Sequence, residues 1–511
     1  MERVLEMLLA INMEKPVGLD NIDGKLLRMA AHHIVRAVTH IFNQSIKLGA
    51  VPQAWKEAKI FPLPKNAKMS LTGVNSRPIS ILPQLAKLIE KNVFTQIQSY
   101  FKNNKLNSDS QHAYRDGFST CTALSQLCDN TLQNLDSRKL VGSVMLDFSA
   151  AFDVIDHEIL AAKLRAYSFD STAISWLVSY LTGRKQQVFF NGSLSDCKDV
   201  VSGVPQGSSL GPLLFTIFTN DLPLVLRKAS LVSYADDTTL YMASSTVEKL
   251  SDELNKELEL VLRWVKNNKM ILNTSKTKSI LFGTQSMLQS NPKLNLLLDK
   301  TEVLQVDEVK LLGVTIDKKL SWSSHITNIT KKMGSAIAVI RRCAAYLTNE
   351  SIIQVIKALV LAHLDYCSPV WSTATKNDLN KLQIAQNRAA RLALNCSNMT
   401  NVLKMHKNLS WLLVEQRLKA NLLCLFRNIS FKKEPYTLYK SINYTSERHH
   451  YQTRRVTSGG FTKPKPKSEF LKATVMYRAM AAWEDLPREV VNCKGNKTQF
   501  KRKVKEYLGK D

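Results

Sequence analysis

The sequence predicts an α+β fold in which an antiparallel sheet is backed by helices and followed by an almost wholly helical region. Of its 511 residues, 44% are hydrophobic, which is enough for a sizeable core. Up to about residue 316, β-rich runs alternate with helical stretches in the order strand, helices, hairpin, helix, strand. Beyond Ser321, apolar residues recur at helical spacing, most clearly at Ile326, Ile329, Met333, Ile337 and Ile340.

The elements follow in order from periodicity and from turn residues. Apolar residues three and four apart predict helices over 25–48, 85–101, 159–167, 174–181 and 210–226. Short apolar runs bounded by turn residues predict strands over 58–65 and 140–146, and Asn191-Gly192 predicts a hairpin between 187 and 202. Ser251 is the predicted N-cap of a helix that ends at Asn267-Asn268, and strands return at 279–282 and 310–316.

The C-terminal part is basic. Residues 445–467 combine Arg, Lys and His with Gly459-Gly460, Pro464 and Pro466, which predicts a mobile basic connector. A last helix is predicted near 468–485, before a tail dense in Lys and Arg from Lys494 to Lys510.

Lys and Arg outnumber Asp and Glu by 70 to 43, a formal charge of +27 that is spread along the chain. This excess favours a polyanionic partner, although a generically basic soluble or membrane-surface protein would show the same charge. Eight cysteines without metal-binding spacing predict reduced thiols. Because we find neither a signal peptide nor a membrane-spanning stretch, we expect an intracellular protein of the nucleus, the cytoplasm or both, neither secreted nor bound to a membrane.

Three carboxylates carry the functional hypothesis. Asp236 and Asp237 lie at the tip of a predicted hairpin, and Asp147 ends the strand 140–146. Adjacent like charges repel unless a cation lies between them. Carboxylates on neighbouring strands would suit two Mg²⁺ ions, or Mn²⁺ as a substitute, which stabilise the attacking and leaving oxygens of an in-line displacement. For the Asp-Asp dipeptide alone, a solvated turn is the alternative.

The carboxylates belong to an ordered series of blocks. These are Trp55 to Lys65, Arg77-Pro78-Ile79-Ser80, residues 111–120, Leu146 to Asp153, Ser202 to Ser208, Tyr234-Ala235-Asp236-Asp237, Asn273 to Lys278 and Lys310 to Val314. In this order the blocks resemble the reverse transcriptases of non-LTR (LINE-like) retrotransposons, particularly the Jockey and CR1-like branch. The resemblance runs from about residue 15 to about residue 371.

For the chemical step, the resemblance implies that Asp147 and Asp236 bind the metal ions directly and that Asp237 adjusts the metal site. It assigns Lys276 to proton donation toward the departing pyrophosphate, with a simple phosphate contact as the alternative.

For nucleotide binding, the resemblance implies five further residues. Lys65 and Arg77 would bind the triphosphate, with solvated surface cations as the alternative. Phe152 would lie under the sugar, where its ring disfavours a 2′-hydroxyl; an ordinary core Phe is the alternative. Gln206 would place its amide near nucleotide and template, and Gly207 would permit close backbone approach.

The implied protein is an RNA-directed DNA polymerase with a right-hand architecture. It would comprise an N-terminal helical extension (1–55), fingers and palm (56–316), a helical thumb or connection (317–444) and a basic linker with a helical tail (445–511). Its partners would be an RNA template, a DNA primer and dNTP.

No nuclease domain precedes the resemblance, so we expect that a separate endonuclease supplies the primer nick. The rivals are a catalytically inactive nucleic-acid-binding relic and an RNA-dependent RNA polymerase. The oligomeric state is not predictable from the sequence.

Overall fold

The computed structural model describes residues 1–64, 76–442, 461–493 and 495–509. Within them the strands are β1 (Glu57–Pro64), β2 (Ser76–Ile81), β3 (Leu140–Leu146), β4 (Arg184–Phe190), β5 (Ser193–Leu194), β6 (Lys198–Val200), β7 (Ser230–Tyr234), β8 (Asp237–Ser244), β9 (Lys278–Phe282), β10 (Leu297–Leu298), β11 (Thr301–Glu302), β12 (Leu304–Gln305), β13 (Glu308–Leu311) and β14 (Val314–Asp317).

The α-helices before β9 are α1 (Glu2–Leu9), α2 (Gly24–Met29), α3 (Ala31–Lys47), α4 (Gln84–Asn103), α5 (Thr120–Asp136), α6 (His157–Ala166), α7 (Ser171–Leu181), α8 (Gly211–Thr219) and α9 (Val247–Asn267). Those that follow are α10 (Ser323–Cys343), α11 (Asn349–Ile356), α12 (Ala362–Asp365), α13 (Ser368–Trp371), α14 (Lys376–Leu394), α15 (Val402–Asn408), α16 (Val414–Lys432), α17 (Tyr436–Tyr439), α18 (Glu469–Ala473), α19 (Val475–Glu484), α20 (Arg488–Val491) and α21 (Lys497–Leu508). A π-helical segment, Lys357–Leu361, joins α11 to α12. In the part of the chain that the structure describes, no helix is long and apolar enough to cross a bilayer.

The structure confirms the α+β class and corrects several details. The predicted strand 310–316 is a hairpin, because Leu312 and Gly313 have φ of +45° and +82° and form the turn between β13 and β14. Ser251 is not an N-cap, since α9 already begins at Val247. The prediction of a purely antiparallel sheet is wrong at β1–β4 and β9–β12, which pair in parallel. Most of the predicted connector 445–467 lies outside the described residues.

The chain divides into two compact units. The first contains Met1–Tyr114, Asp147–Arg227 and Glu259–Asn273, and the second contains Arg115–Leu146, Lys228–Leu258 and Thr274–Asp511. Both units are discontinuous in sequence, because β3 and the β7–β8 hairpin belong to the sheet of the second unit, whereas residues Asp147–Arg227 between them belong to the first unit. The four linear segments named above remain a prediction.

The first unit is built on the sheet β2-β1-β4-β5, with β6 added to β4. In α6 and α7, Asp156 and Asp170 act as N-caps whose carboxylates accept backbone N–H groups of the first turn. The side chain of Lys269, which follows α9, donates to Asp156 at 2.6 Å. This hydrogen bond holds the pKa of Asp156 below its usual value and joins the start of α6 to the end of α9.

The second unit is built on the sheet β12-β9-β3-β8-β7. One continuous core joins α5, the sheet and the helices from α10 to α16, with Leu124, Val141, Ile280 and Ile326 among its fully buried members. Gly142 in β3 is required by close packing, since a Cβ there would lie 2.7 Å from Leu254 Cδ1 of α9. The sheet that carries the Asp-Asp hairpin therefore has rigid helical support.

Candidate active site

The Asp-Asp pair lies in the turn of the hairpin predicted from sequence. Tyr234 pairs with Asp237, so only Ala235 and Asp236 occupy the turn. Ala235 has a φ of +56°, a left-handed conformation that costs a non-glycine residue about 1–3 kcal/mol. Next to the turn, the hydroxyls of Ser233 and Thr238 are 3.1 Å apart and buried. The hairpin therefore holds Asp236 half-buried in a strained turn and Asp237 exposed at the start of β8.

Asp147 directly follows β3, the strand next to β8. Leu146, the last residue of β3, pairs with Thr238, which is one residue after Asp237. On the other side, the carbonyl oxygen of Asp147 accepts the N–H of Asn273 at 2.8 Å. Phe148 bridges to Leu272 in antiparallel fashion. The backbone after β3 is thus tied to the block that contains Lys276, whose side chain is exposed.

The loop after Asp147 and the loop before α8 interlock. Gly203 and Val204 donate backbone N–H groups to the carbonyl oxygens of Ile155 and Phe152, both at 2.8 Å. Gly203 has a φ of +82°, and a Cβ on it would lie 2.6–2.8 Å from Asp153 backbone atoms. Only glycine fits this contact. Two blocks that are about fifty residues apart in sequence are therefore one structural element.

The Gln206 side chain is held by a residue that the sequence analysis did not select. Its Nε2 donates to both carboxylate oxygens of Asp153, at 2.8 and 3.1 Å. A charge-assisted hydrogen bond of this kind fixes the amide rotamer. The available signal was that Asp153 closes the same block as Asp147 and is the only other carboxylate in it.

Gly207 meets the strand that carries Arg77. Its φ is +106°, and a Cβ would lie 2.8 Å from the carbonyl oxygen of Ser80 in β2. The neighbouring carbonyl of Gln206 accepts the Ser80 N–H at 2.7 Å. Arg77 lies three residues earlier on β2 and is exposed. The expected close backbone approach is therefore a contact with the protein's own strand. Lys65 lies outside the described residues.

Phe152 is half-buried and stacks on Phe215 of α8, with ring centroids 4.6 Å apart and planes inclined by 24°. Phe215 is itself only 1% exposed. The stack fixes the orientation of the Phe152 ring. The ring packs as the core-Phe alternative requires and keeps a partly accessible surface, and the predicted position under the sugar stays a prediction.

A buried carboxylate supports the start of α8. Glu90 of α4 is 1% exposed, accepts the Ser209 N–H at 2.7 Å and accepts the Tyr180 hydroxyl at 3.1 Å. Burial raises the pKa of Glu90, although these donors and the charge of Arg184 act in the opposite direction. Sequence reasoning missed Glu90, which is visible only as a charged residue at a core position of an apolar helix face.

Among the described residues, no three His, Cys, Asp or Glu side chains are grouped to hold a metal ion by themselves. Magnesium sites do not require such a group, because Mg²⁺ is commonly bound through one or two carboxylates, waters and substrate phosphates. Aspartate carboxylates supply the hard oxygen donors that such coordination uses; the metal-binding roles of Asp147, Asp236 and Asp237 remain a prediction.

Residues 64–316 match the family model described as "Reverse transcriptase (RNA-dependent DNA polymerase)". The chain is 27% identical over 434 residues to a probable RNA-directed DNA polymerase from transposon BS of Drosophila melanogaster, an alignment that covers 82% of this chain and 47% of that protein. It is 26% identical over 401 residues to the RNA-directed DNA polymerase from mobile element jockey of the same species, covering 76% of this chain and 43% of that protein. Among solved structures, apo telomerase from Candida tropicalis matches with a TM-score of 0.39 and 10% identity, covering 80% of this chain and 74% of that chain.

The chain spans about half the length of the curated relatives it matches. The match to the family model begins at the end of β1 and ends in β14, and it contains every block listed above from Arg77 to Val314. Residues 64–316 therefore belong to the reverse transcriptase family, and the chain is a relative of the RNA-directed DNA polymerases of non-LTR retrotransposons.

Proposed function

We propose that the chain is an RNA-directed DNA polymerase that joins dNTPs to a primer 3′-hydroxyl on an RNA template. The observation that carries the proposal is the β7–β8 hairpin, whose strained turn contains Asp236 and is followed at once by Asp237. It lies beside strand β3, which Asp147 directly follows, in a segment that matches the reverse transcriptase family. Asp147 and Asp236 would hold two Mg²⁺ ions, with Mn²⁺ as a substitute, and Asp237 would adjust their site. These ions supply the charge that stabilises the attacking and leaving oxygens.

The remaining residues bind and orient the substrates. Arg77 and Lys65 bind the triphosphate, and Lys276 gives a proton to the departing pyrophosphate. Gln206, oriented by Asp153, contacts the nucleotide and template through its amide, while Gly207 keeps this loop against Ser80. Because pyrophosphate leaves as a highly charged group, loss of any one of these three cations should slow the reaction more than it weakens template binding.

The direct test is primer extension on poly(rA)/oligo(dT) with dTTP and Mg²⁺. Asp236→Ala should lower the rate by at least about 100-fold, the upper end of the cost of losing even an outer-shell partner of a metal site. Asp252→Ala, which removes an exposed carboxylate of α9, is the matched control and should extend primers like the parent. An inactive parent that still binds the hybrid would refute the proposal in favour of an inactive nucleic-acid-binding relic.

The preference for deoxynucleotides is assigned to Phe152, whose ring orientation is fixed by Phe215. Phe152→Val removes the ring and should raise rNTP incorporation relative to dNTP incorporation by about 10-fold or more, the equivalent of about 1.4 kcal/mol. Strong rNTP incorporation by the parent would instead support an RNA-dependent RNA polymerase.

A further inference from the structure

Three segments that are far apart in sequence bring cations together beyond the matched polymerase segment. They are the π-helical segment that starts at Lys357, helix α16 with Arg417, and the C-terminal helix α21. Arg417 donates to both oxygens of Asp365 at 2.6 Å, and Asn421 donates to the same carboxylate at 2.9 Å. Asp365 therefore already accepts three hydrogen bonds from its own neighbours.

Helix α21 adds three lysines in a row, Lys497, Lys501 and Lys505, four residues apart and all exposed. Like charges at this spacing repel each other and destabilise a helix. The helix forms because a parallel stripe, Phe500, Val504 and Leu508, is at most 5% exposed and packs in the core shared with α16. The apolar stripe therefore has a role in stabilising α21. The three lysines do not stabilise the helix, so their arrangement requires another explanation. We call Lys357, Lys497, Lys501 and Lys505 the lysine face.

The lysine face is crowded with positive charge. Burial lowers the pKa of Lys505, and the charges of Lys501, Arg417 and Lys357 lower it further, while the charge of Asp365 acts in the opposite direction. Burial raises the pKa of the nearby Cys424 thiol, and the charges of Lys501 and Lys497 act in the opposite direction. A polyanion on this surface would relieve the repulsion.

The chemistry of the face favours nucleic acid over a membrane. A helix that binds in a bilayer interface must expose its apolar side, whereas the apolar stripe of α21 is buried. Successive lysines of the stripe are about 6 Å apart along the helix axis, and a nucleic-acid strand presents a phosphate about every 3.4 Å of duplex axis. Lysine acts as a point charge toward phosphate and carries no fork for reading bases.

We propose that the lysine face, whose four residues all lie beyond the matched segment 64–316, is a second nucleic-acid-binding surface that contacts the phosphate backbone irrespective of base sequence. It does not depend on the proposed polymerase activity, because backbone contacts need neither dNTP nor magnesium. By anchoring template or product outside residues 64–316, such a surface would lengthen the time that the enzyme stays on one strand.

The test uses the full chain with the triple substitution Lys497→Gln, Lys501→Gln, Lys505→Gln, since Gln removes the charge, stays polar and has a similar helix propensity. The matched control removes three exposed lysines elsewhere, Lys91→Gln, Lys249→Gln and Lys256→Gln. Binding of labelled single-stranded RNA, single-stranded DNA and an RNA–DNA hybrid is measured by fluorescence anisotropy in EDTA over a series of salt concentrations. Circular dichroism checks that helix content is unchanged.

The proposal predicts that the triple variant binds at least one probe about 10-fold or more weakly than the control triple, with a log–log salt slope shallower by about one per lysine removed. The probe with the largest loss identifies the bound strand. Equal affinities and slopes for the two triples would overturn the proposal, because the effect would then follow net charge alone. Preferential binding of the parent to anionic vesicles through these lysines would overturn it as well. An Asp236→Ala variant should bind like the parent, so loss of polymerase activity and failure of this proposal are distinguishable.

Discussion

The carboxylate of Asp129 connects helix α5, which packs on the sheet of the second unit, to the C-terminal segment. It is 3% exposed and accepts the N–H groups of Val475 and Met476, at 2.6 and 3.1 Å, in the first turn of α19. Two turns later on α5, Asp136 accepts the N–H and hydroxyl of Ser468 at the start of α18, both at 2.7 Å. One helix thus caps two successive helices more than 300 residues away in sequence.

Asp129→Asn changes this connection without changing its shape. The amide oxygen can still accept one N–H, but its NH₂ group faces the other, which leaves a buried donor unsatisfied. Hydrogen bonds to charged groups contribute about 1.5–3 kcal/mol, and an unsatisfied buried donor costs about 1–3 kcal/mol. We expect local opening of α19 to become easier by about 2–3 kcal/mol, which corresponds to about 30- to 150-fold faster amide exchange.

The assay is hydrogen–deuterium exchange of the peptides that cover 475–484, with Asp485→Asn as the control. Asp485 is exposed and its ion pair with Lys419 spans 3.4 Å, so its loss should change exchange by less than about 0.5 kcal/mol. Unchanged protection of 475–484 in Asp129→Asn would refute the reasoning that this carboxylate holds α19.

The same carboxylate predicts a pH dependence of defined sign. Burial raises the pKa of Asp129 from 3.8 to about 6, even though the Val475 and Met476 N–H groups and the charge of Arg478 lower it. Between these pH values the native state binds more protons than the unfolded state. The free energy of unfolding therefore falls as pH rises from about 4 to about 6, and above about pH 6 this group causes no further change. The change should be about 3 kcal/mol and should disappear in Asp129→Asn. Asp136, whose pKa is lowered although burial opposes the shift, contributes with the opposite sign below about pH 4.

Two further predictions concern the loop before α8. Gly207→Ala places a Cβ 2.8 Å from the Ser80 carbonyl oxygen at a φ of +106°. The resulting strain of about 1–3 kcal/mol should reduce kcat/KM in primer extension by about 5- to 150-fold. Near-parental activity would contradict the tight contact. Glu90→Ala leaves the Ser209 N–H and Tyr180 hydroxyl without their buried acceptor, so we expect a loss of about 2–4 kcal/mol in thermal unfolding experiments, whereas Glu90→Gln should recover part of it by accepting one hydrogen bond.

Local sequence was sufficient for elements whose signal lies within the element. The β7–β8 hairpin, the strand 140–146 and the long helix 85–101 follow from periodicity and turn residues alone. The helix α5 was missed, because its sequence contains Thr, Ser, Gln, Asp and Asn at positions that face other elements. Polar residues such as Gln126 and Asp129 are buried there with specific partners. Hydrophobic periodicity treats such polar residues as facing solvent, so the buried face of α5 gives no helical signal.

For the candidate site, the sequence by itself determined the residue types: three carboxylates, an aromatic ring, an amide, glycines and cations in a fixed order that resembles one family. Only the tertiary structure decided what holds them, since the Asp153–Gln206 hydrogen bond, the Gly207–Ser80 contact and the Glu90 support join residues 53 to 127 positions apart. The physical reason is that residue type and periodicity are local properties, whereas a hydrogen-bond partner or a forbidden Cβ is a property of whichever chain segment packs nearby. The same holds for the lysine face, which no single segment of the sequence contains.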